Sequence, residues 1–139
     1  MPASTIRMIV IVLLIFHGIG HYMGILSIFG IKLSQNMSSH SWFLTDLTGD
    51  KAARIIAFML WVSAFAGFIC SGLGLGDWII PNSAWQIMAV ISAFISLTGV
   101  ILFWNAFAFL FNRIGVLAVN IAVLLSVLWL HLPASLYND

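Results

Sequence analysis

The chain has 139 residues, of which 63% are hydrophobic and only 6% are charged. A soluble domain carries about a quarter charged residues, so nine charged side chains are too few to cover a water-soluble fold of this length. The composition therefore predicts an integral membrane protein with the lipid bilayer as its main partner. A formal net charge of +1 without a basic run argues against nucleic acid as a partner.

Four segments are long and apolar enough to cross a bilayer, which takes about 20 residues in a helix. They predict helices over about residues 5–31, 52–75, 84–104 and 114–131. The apolar stretch that follows Arg7 has no cleavage site of the signal-peptide type, which predicts a retained first helix. The predicted fold is all-α: one polytopic four-transmembrane-helix bundle spanning residues 1–139.

The first helix places two imidazoles, His17 and His21, four residues apart and therefore on one face. Three hypotheses follow for this pair. The histidines are structural and bond to carbonyls, Asn120 or serines across the bundle. Alternatively they are metal ligands, because this spacing lets two imidazoles share a transition metal. The third hypothesis is a haem or another redox cofactor such as a quinone, with proton relay as a further possibility.

The metal and haem hypotheses each require more ligands than this pair. A metal site would be completed by His40, Asp46 or Asp50 from loop 1, the polar stretch over residues 32–51 that is long enough for an interfacial helix or cap. A haem needs an axial ligand from another helix. His131 is the helical candidate, but it is predicted at the opposite membrane surface, so a haem shared between two subunits stays open.

Consecutive helices run in opposite directions, so the first and third helices end, and the second and fourth helices begin, on the side of loop 1. Most of the polar chemistry of the chain is therefore predicted in that half of the bilayer. The candidate ligand or polar cluster consists of His17, His21, His40, Arg54, Trp61, Trp104, Asn105 and Arg113. Arg54, Phe58 and Trp61 are predicted on one face of the second helix.

Small and polar residues recur at helical spacing within the predicted helices. Small residues let helix backbones approach closely in lipid, where no hydrophobic force drives helices together. The predicted helix-packing residues are Gly20, Gly24, Ser63, Gly67, Ser71, Ser92, Ser96 and Asn120. The same faces also offer contacts to a second copy or to other membrane subunits.

The basic residues are distributed unequally between the two sides. Lys32, Lys51, Arg54 and Arg113 fall on the side of loop 1 and of the third connection, and Arg7 falls on the other side. The positive-inside rule then predicts that these two loops are cytoplasmic. A prokaryotic plasma membrane is the predicted location.

The motifs resemble those of a group of small, uncharacterised four-helix bacterial membrane proteins with H-G-x-x-H in the first helix. The matching residues are His17, Gly18, His21 and Gly24, then Arg54 and Trp61, and Trp104 at the end of the third helix. The resemblance covers roughly residues 13–125 and implies a four-helix fold with a shared polar cluster. It implies no activity. Where the group has Asp or Pro after the last Trp, this chain has Asn105.

The sequence contains no Ser–His–Asp or Cys–His set for nucleophilic catalysis and no glycine-rich phosphate loop. We therefore expect a non-catalytic accessory or structural subunit of a membrane complex or homo-oligomer. Two alternatives remain: a metal-, haem- or quinone-binding redox module that uses His17 and His21, and a small transporter or proton-conducting oligomer.

Overall fold

A computed structural model describes residues 3–130, which are helical with short connections and contain no strand. The helices are α1 (Ala3–Gly20), α2 (Tyr22–Ile28), α3 (Leu44–Thr48), α4 (Asp50–Leu75), α5 (Trp85–Leu102) and α6 (Leu110–Leu124). Short 3₁₀ turns cover Asn82–Ala84 and Trp104–Ala106, and a π-helical turn, Leu125–Trp129, extends α6. Four helical segments, the first made of α1 and α2 together, have the length and composition to cross a membrane. The predicted all-α, four-helix organisation is confirmed for this part of the chain.

The boundaries differ from the predicted ones at several places. The first helix is interrupted at His21 instead of running unbroken to residue 31. The fourth begins at Leu110, four residues earlier than predicted. Its predicted end at His131 lies outside the described residues. Loop 1 contains the short helix α3, and Gly49, with a φ of +84°, allows the sharp turn from α3 into α4.

Helix α4 is the central element of the bundle. It packs along α1, α2 and α5, while α6 packs mainly against α5. The buried stripe of α4 includes Ala53, Ala57, Trp61, Ala64 and Phe68. Arg54 and Phe58 lie beside this stripe and are exposed, whereas Trp61 is fully buried. The three positions lie within about 60° of one another around the helix axis, so their shared face lies at the edge of the buried stripe and only Trp61 of the three is buried.

The distribution of side chains is the reverse of that in a water-soluble fold. Large apolar side chains cover the outside: Phe16, Phe111 and Trp129 are 68%, 72% and 79% exposed. Polar side chains, including His21 and Asn120, are fully buried. The apolar outer surface needs an apolar environment, and the buried polar groups need one another.

Two apolar clusters form the interior. One surrounds Trp61 and includes Val100, Phe103 and Phe107 toward the loop-1 end. The other surrounds Phe68 toward the opposite end. His21 contacts both, because its ring stacks on Phe68 at 5.6 Å and meets Phe107 at 6.2 Å. His21 therefore lies at the junction of the two clusters.

Candidate functional site

The candidate site begins with the interruption of the first helix at His21. In an unbroken α-helix the His21 N–H would donate to the carbonyl of His17. Here it donates to Gly18 O at 3.0 Å instead. The carbonyl of His17 then accepts a hydrogen bond from the imidazole Nδ1 of His21 at 2.9 Å. The imidazole of His21 thus takes the place of its own backbone N–H as the donor to the His17 carbonyl, which keeps a hydrogen bond inside the bundle.

Three further hydrogen bonds connect this turn to the other helices. His21 Nε2 lies 2.6 Å from the hydroxyl of Ser96 on α5. That hydroxyl accepts from Nδ2 of Asn120 on α6 at 2.7 Å. Oδ1 of Asn120 lies 3.1 Å from Nε2 of His17. The four side chains, together with the His17 carbonyl, form a closed loop that we call the polar ring.

One assignment of protons gives every bond of the polar ring a donor and an acceptor. The His17 carbonyl only accepts, so the proton of His21 lies on Nδ1 and its Nε2 accepts. Ser96 then donates its single proton to His21 and accepts from the Asn120 amide nitrogen. The amide oxygen faces His17, whose Nε2 carries the proton. Both imidazoles are neutral in this arrangement, and they are opposite tautomers.

The polar ring determines what the two histidines can offer to a metal. His21 has a proton on one nitrogen and accepts Ser96 with the other, so neither is free to coordinate. In the pair, only Nδ1 of His17 has no hydrogen bond to residues 3–130. The two rings are perpendicular, with centroids 4.8 Å apart. This arrangement differs from two imidazoles converging on one ion, and it fits the structural hypothesis.

The loop-1 residues expected to complete a metal site do not join the histidines. His40, Asp46 and Asp50 are exposed, and Asp50 pairs with Arg54 at 2.9 Å. Residues 3–130 contain no group of three or more His, Cys, Asp or Glu side chains placed to hold an ion. His131, the candidate haem ligand, lies outside the described residues.

The predicted polar cluster divides into separate parts. His17 and His21 belong to the polar ring. Trp104 and Arg113 form a second group, with the guanidinium carbon 5.6 Å from the centre of the indole ring. Arg54, His40 and Asn105 are exposed. Loop 1 folds over the end of α5, where its backbone and side chains donate to the carbonyls of Ile101, Asn105 and Ala108.

Trp61 lies beside the polar ring and fills the space between two helices. An added Cβ on Gly24 would lie 2.7 Å from the indole Cδ2, and one on Gly99 would lie 2.8 Å from Cη2. The indole meets Phe107 edge to face at 5.2 Å. Its Nε1 is the one buried side-chain nitrogen or oxygen of residues 3–130 that has no hydrogen-bond partner. The contribution of Trp61 is therefore packing.

The predicted helix-packing residues differ in their surroundings. Gly24, Ser71, Ser92, Ser96 and Asn120 are buried, and a Cβ on Gly67 would collide with Ser92. Gly20 and Ser63 are exposed, and a Cβ on Gly20 would meet nothing within 4 Å. The prediction is wrong for these two within a single chain, because helical spacing does not reveal which side of a small-residue stripe faces the neighbouring helix.

Some of the site was missed at the level of sequence. Ser96 was predicted as a packing residue, but its hydroxyl is the link between His21 and Asn120. Phe68 and Phe107, whose rings contact His21, gave no signal among 11 phenylalanines. Only the three-dimensional arrangement identifies them.

No protein-family model, no curated protein and no solved structure matches this chain. The resemblance to small bacterial four-helix membrane proteins therefore stays a prediction that depends on the short motifs named above.

Proposed function

We propose that this protein is an integral membrane protein that acts as a non-catalytic accessory or structural subunit, either in a homo-oligomer or in a larger membrane complex. The proposal is supported by the way the buried polar side chains are used. His17, His21, Ser96 and Asn120 bond to one another and connect three spanning helices. A polar ring of this kind stabilises one arrangement of a bundle in lipid, where a polar group without a partner costs several kcal/mol.

The outer surface supports the membrane location and the proposed partners. Large apolar side chains surround the four spanning segments, as expected for helices that contact lipid. Gly20 and Ser63 lie on this outer surface. In the proposal they face lipid or another subunit, and small residues of this type allow a partner helix to approach closely.

The proposed orientation places loop 1 and the α5–α6 connection in the cytoplasm of a prokaryotic cell. Four of the five Lys and Arg residues lie on this side, and the positive-inside rule assigns such a side to the cytoplasm.

Two measurements test this proposal. After carbonate washing, the tagged protein should stay in the membrane pellet, and extraction into the soluble fraction would contradict the membrane location. Solubilised in mild detergent, the protein should elute as an oligomer or with a reproducible membrane partner. A stable lone monomer in detergent and in native nanodiscs would contradict the subunit role.

The redox alternative is tested on the same preparation. We expect purified protein to lack visible absorption and stoichiometric transition metal, because His21 is occupied at both nitrogens. A stoichiometric metal or a haem spectrum that disappears in the His17→Ala variant would replace the structural proposal with the cofactor one.

A further inference from the structure

Arg113 is a cation held inside the bundle near the start of α6. It is only 9% exposed. Its Nε and Nη2 both donate to the carbonyl of Phe107, at 3.2 and 3.1 Å, and its guanidinium lies over the ring of Trp104. These contacts fix the position of the side chain, unlike the freely extended arginines that reach from helix ends toward water.

The positive charge of Arg113 has no acidic partner among residues 3–130. The ion pair found there joins Arg54 to Asp50, with about half of each side chain exposed. A guanidinium has five N–H donors, of which Arg113 uses two on one carbonyl. Its Nη1 has no partner in the described chain. Among residues 3–130, the one fully buried side-chain nitrogen without a partner is Trp61 Nε1, so Nη1 of Arg113 is not fully buried. Donors of Arg113 therefore reach the surface.

Aromatic side chains around this guanidinium are of the kind found where headgroups meet acyl chains. Exposed aromatic rings surround this end of the bundle: Trp42, Phe43, Trp104, Phe109 and Phe111. Trp42 is held to α5 through Ile101 O at 2.7 Å, and Phe109 stacks on Phe111 at 5.5 Å. Aromatic side chains concentrate at the two membrane–water interfaces. In a membrane, Arg113 would therefore lie in the interfacial layer at this end of the bundle.

The charges at the two ends of the bundle favour binding of an anion at the loop-1 end. The loop-1 end has the basic residues Lys32, Lys51, Arg54 and Arg113 against Asp46 and Asp50, an excess of two positive charges. At the other end, the described residues hold one basic and one acidic side chain. Anionic lipids of the cytoplasmic leaflet attract basic groups of this kind.

We propose that Arg113, backed by Trp104, binds the phosphate of an anionic phospholipid headgroup at the loop-1 end of the bundle. The guanidinium supplies two or more N–H donors to the phosphate oxygens, the geometry for which arginine is favoured over lysine. The exposed rings of Phe109 and Phe111 contact the upper part of the acyl chains. The proposal depends on the membrane location proposed above.

The test is native mass spectrometry of delipidated protein in detergent, with phosphatidylglycerol or phosphatidylcholine added. Phosphatidylcholine has the same phosphate next to a choline cation, so it controls for the anionic character. We expect the wild-type protein to retain phosphatidylglycerol in preference, and Arg113→Gln to retain it at least roughly tenfold less. The matched control is Arg54→Gln, because Arg54 is an exposed arginine at the same end, and it should retain the lipid as the wild type does.

Equal retention by Arg113→Gln and wild type overturns the proposal, and so does equal loss in both arginine variants. An arm with inorganic phosphate identifies the source: if it displaces the lipid and stabilises the protein to the same extent, the ligand is free phosphate and the lipid proposal fails. If Arg113→Gln does not fold, the proposal is tested on the wild-type protein by ¹⁵N NMR of its arginine side chains. Phosphatidylglycerol, but not phosphatidylcholine, should shift the resonances of Arg113.

This outcome is separable from that of the proposed function. A protein that stays in the washed membrane pellet but shows no preference for phosphatidylglycerol refutes the headgroup site alone. A protein found in the soluble fraction refutes the membrane location itself.

Discussion

Replacing Ser96 with alanine removes one hydroxyl that makes two bonds of the polar ring. His21 Nε2 and an Asn120 amide proton would then be buried without a partner, since Ser96, His21 and Asn120 are all 0% exposed. A buried polar group left unpaired costs about 1–3 kcal/mol, whereas interhelical hydrogen bonds measured in a membrane protein average about 0.6 and reach about 1.7 kcal/mol. For two such bonds we expect Ser96→Ala to lower the free energy of unfolding by about 1–3 kcal/mol.

Ser92 is the matched control, one turn away on the same helix and also buried. Its hydroxyl donates only to Met88 O of its own helix, at 2.6 Å. Such a bond contributes little to helix stability, so Ser92→Ala should cost no more than about 0.5 kcal/mol. Both variants can be unfolded by SDS titration in mixed micelles and followed by far-UV circular dichroism. A cost for Ser96→Ala no larger than that for Ser92→Ala would refute the polar ring.

A double-mutant cycle tests whether the bonds act together. Ser96→Ala and Asn120→Leu each interrupt the polar ring, so the second substitution should cost less in the background of the first. Contacting residues typically show coupling of about 0.5–3 kcal/mol. Strictly additive costs, measured by the same SDS titration, would mean that the two side chains are independent.

Two further predictions concern packing and surface charge. Gly24→Ala should lower the free energy of unfolding by about 1–3 kcal/mol through overpacking against Trp61. Gly20→Ala, with open space around it, should be neutral or stabilise the protein by up to about 1 kcal/mol. Equal effects of the two substitutions in thermal unfolding would contradict the contact between Gly24 and Trp61. Arg54→Ala should cost at most about 0.5 kcal/mol, because its ion pair with Asp50 is exposed, and a larger loss in SDS unfolding would show that Arg54 has an additional partner.

The helices were predictable because each spanning segment must be long and apolar, a property that sequence displays directly. Their interruption at His21 was not, since it depends on an imidazole replacing a backbone donor and on Ser96 receiving the other nitrogen. The fourth helix was predicted to begin at residue 114, but α6 begins at Leu110. The predicted helix began after Arg113, but Arg113 is buried against Phe107 and Trp104 within the first turn of α6.

The helix directions predicted which end of the bundle loop 1 covers, but not which side chains meet there. The alternating helix directions correctly indicated that loop 1 covers the end of α5. They did not resolve which residues meet, because side chains at equal depth on neighbouring helices can point into the bundle or out of it. Arg54 and His21 illustrate this, with one exposed and paired to Asp50 and the other fully buried beside Phe68.

The central claim is that His17 and His21 are structural members of a hydrogen-bonded ring. It is tested most directly by ¹⁵N NMR of imidazole-labelled protein in bicelles or nanodiscs. The account predicts two neutral histidines of opposite tautomer, with the proton of His21 on Nδ1 and that of His17 on Nε2. Two imidazoles of the same tautomer, a charged imidazolium, or a metal-shifted resonance for His21 would contradict it.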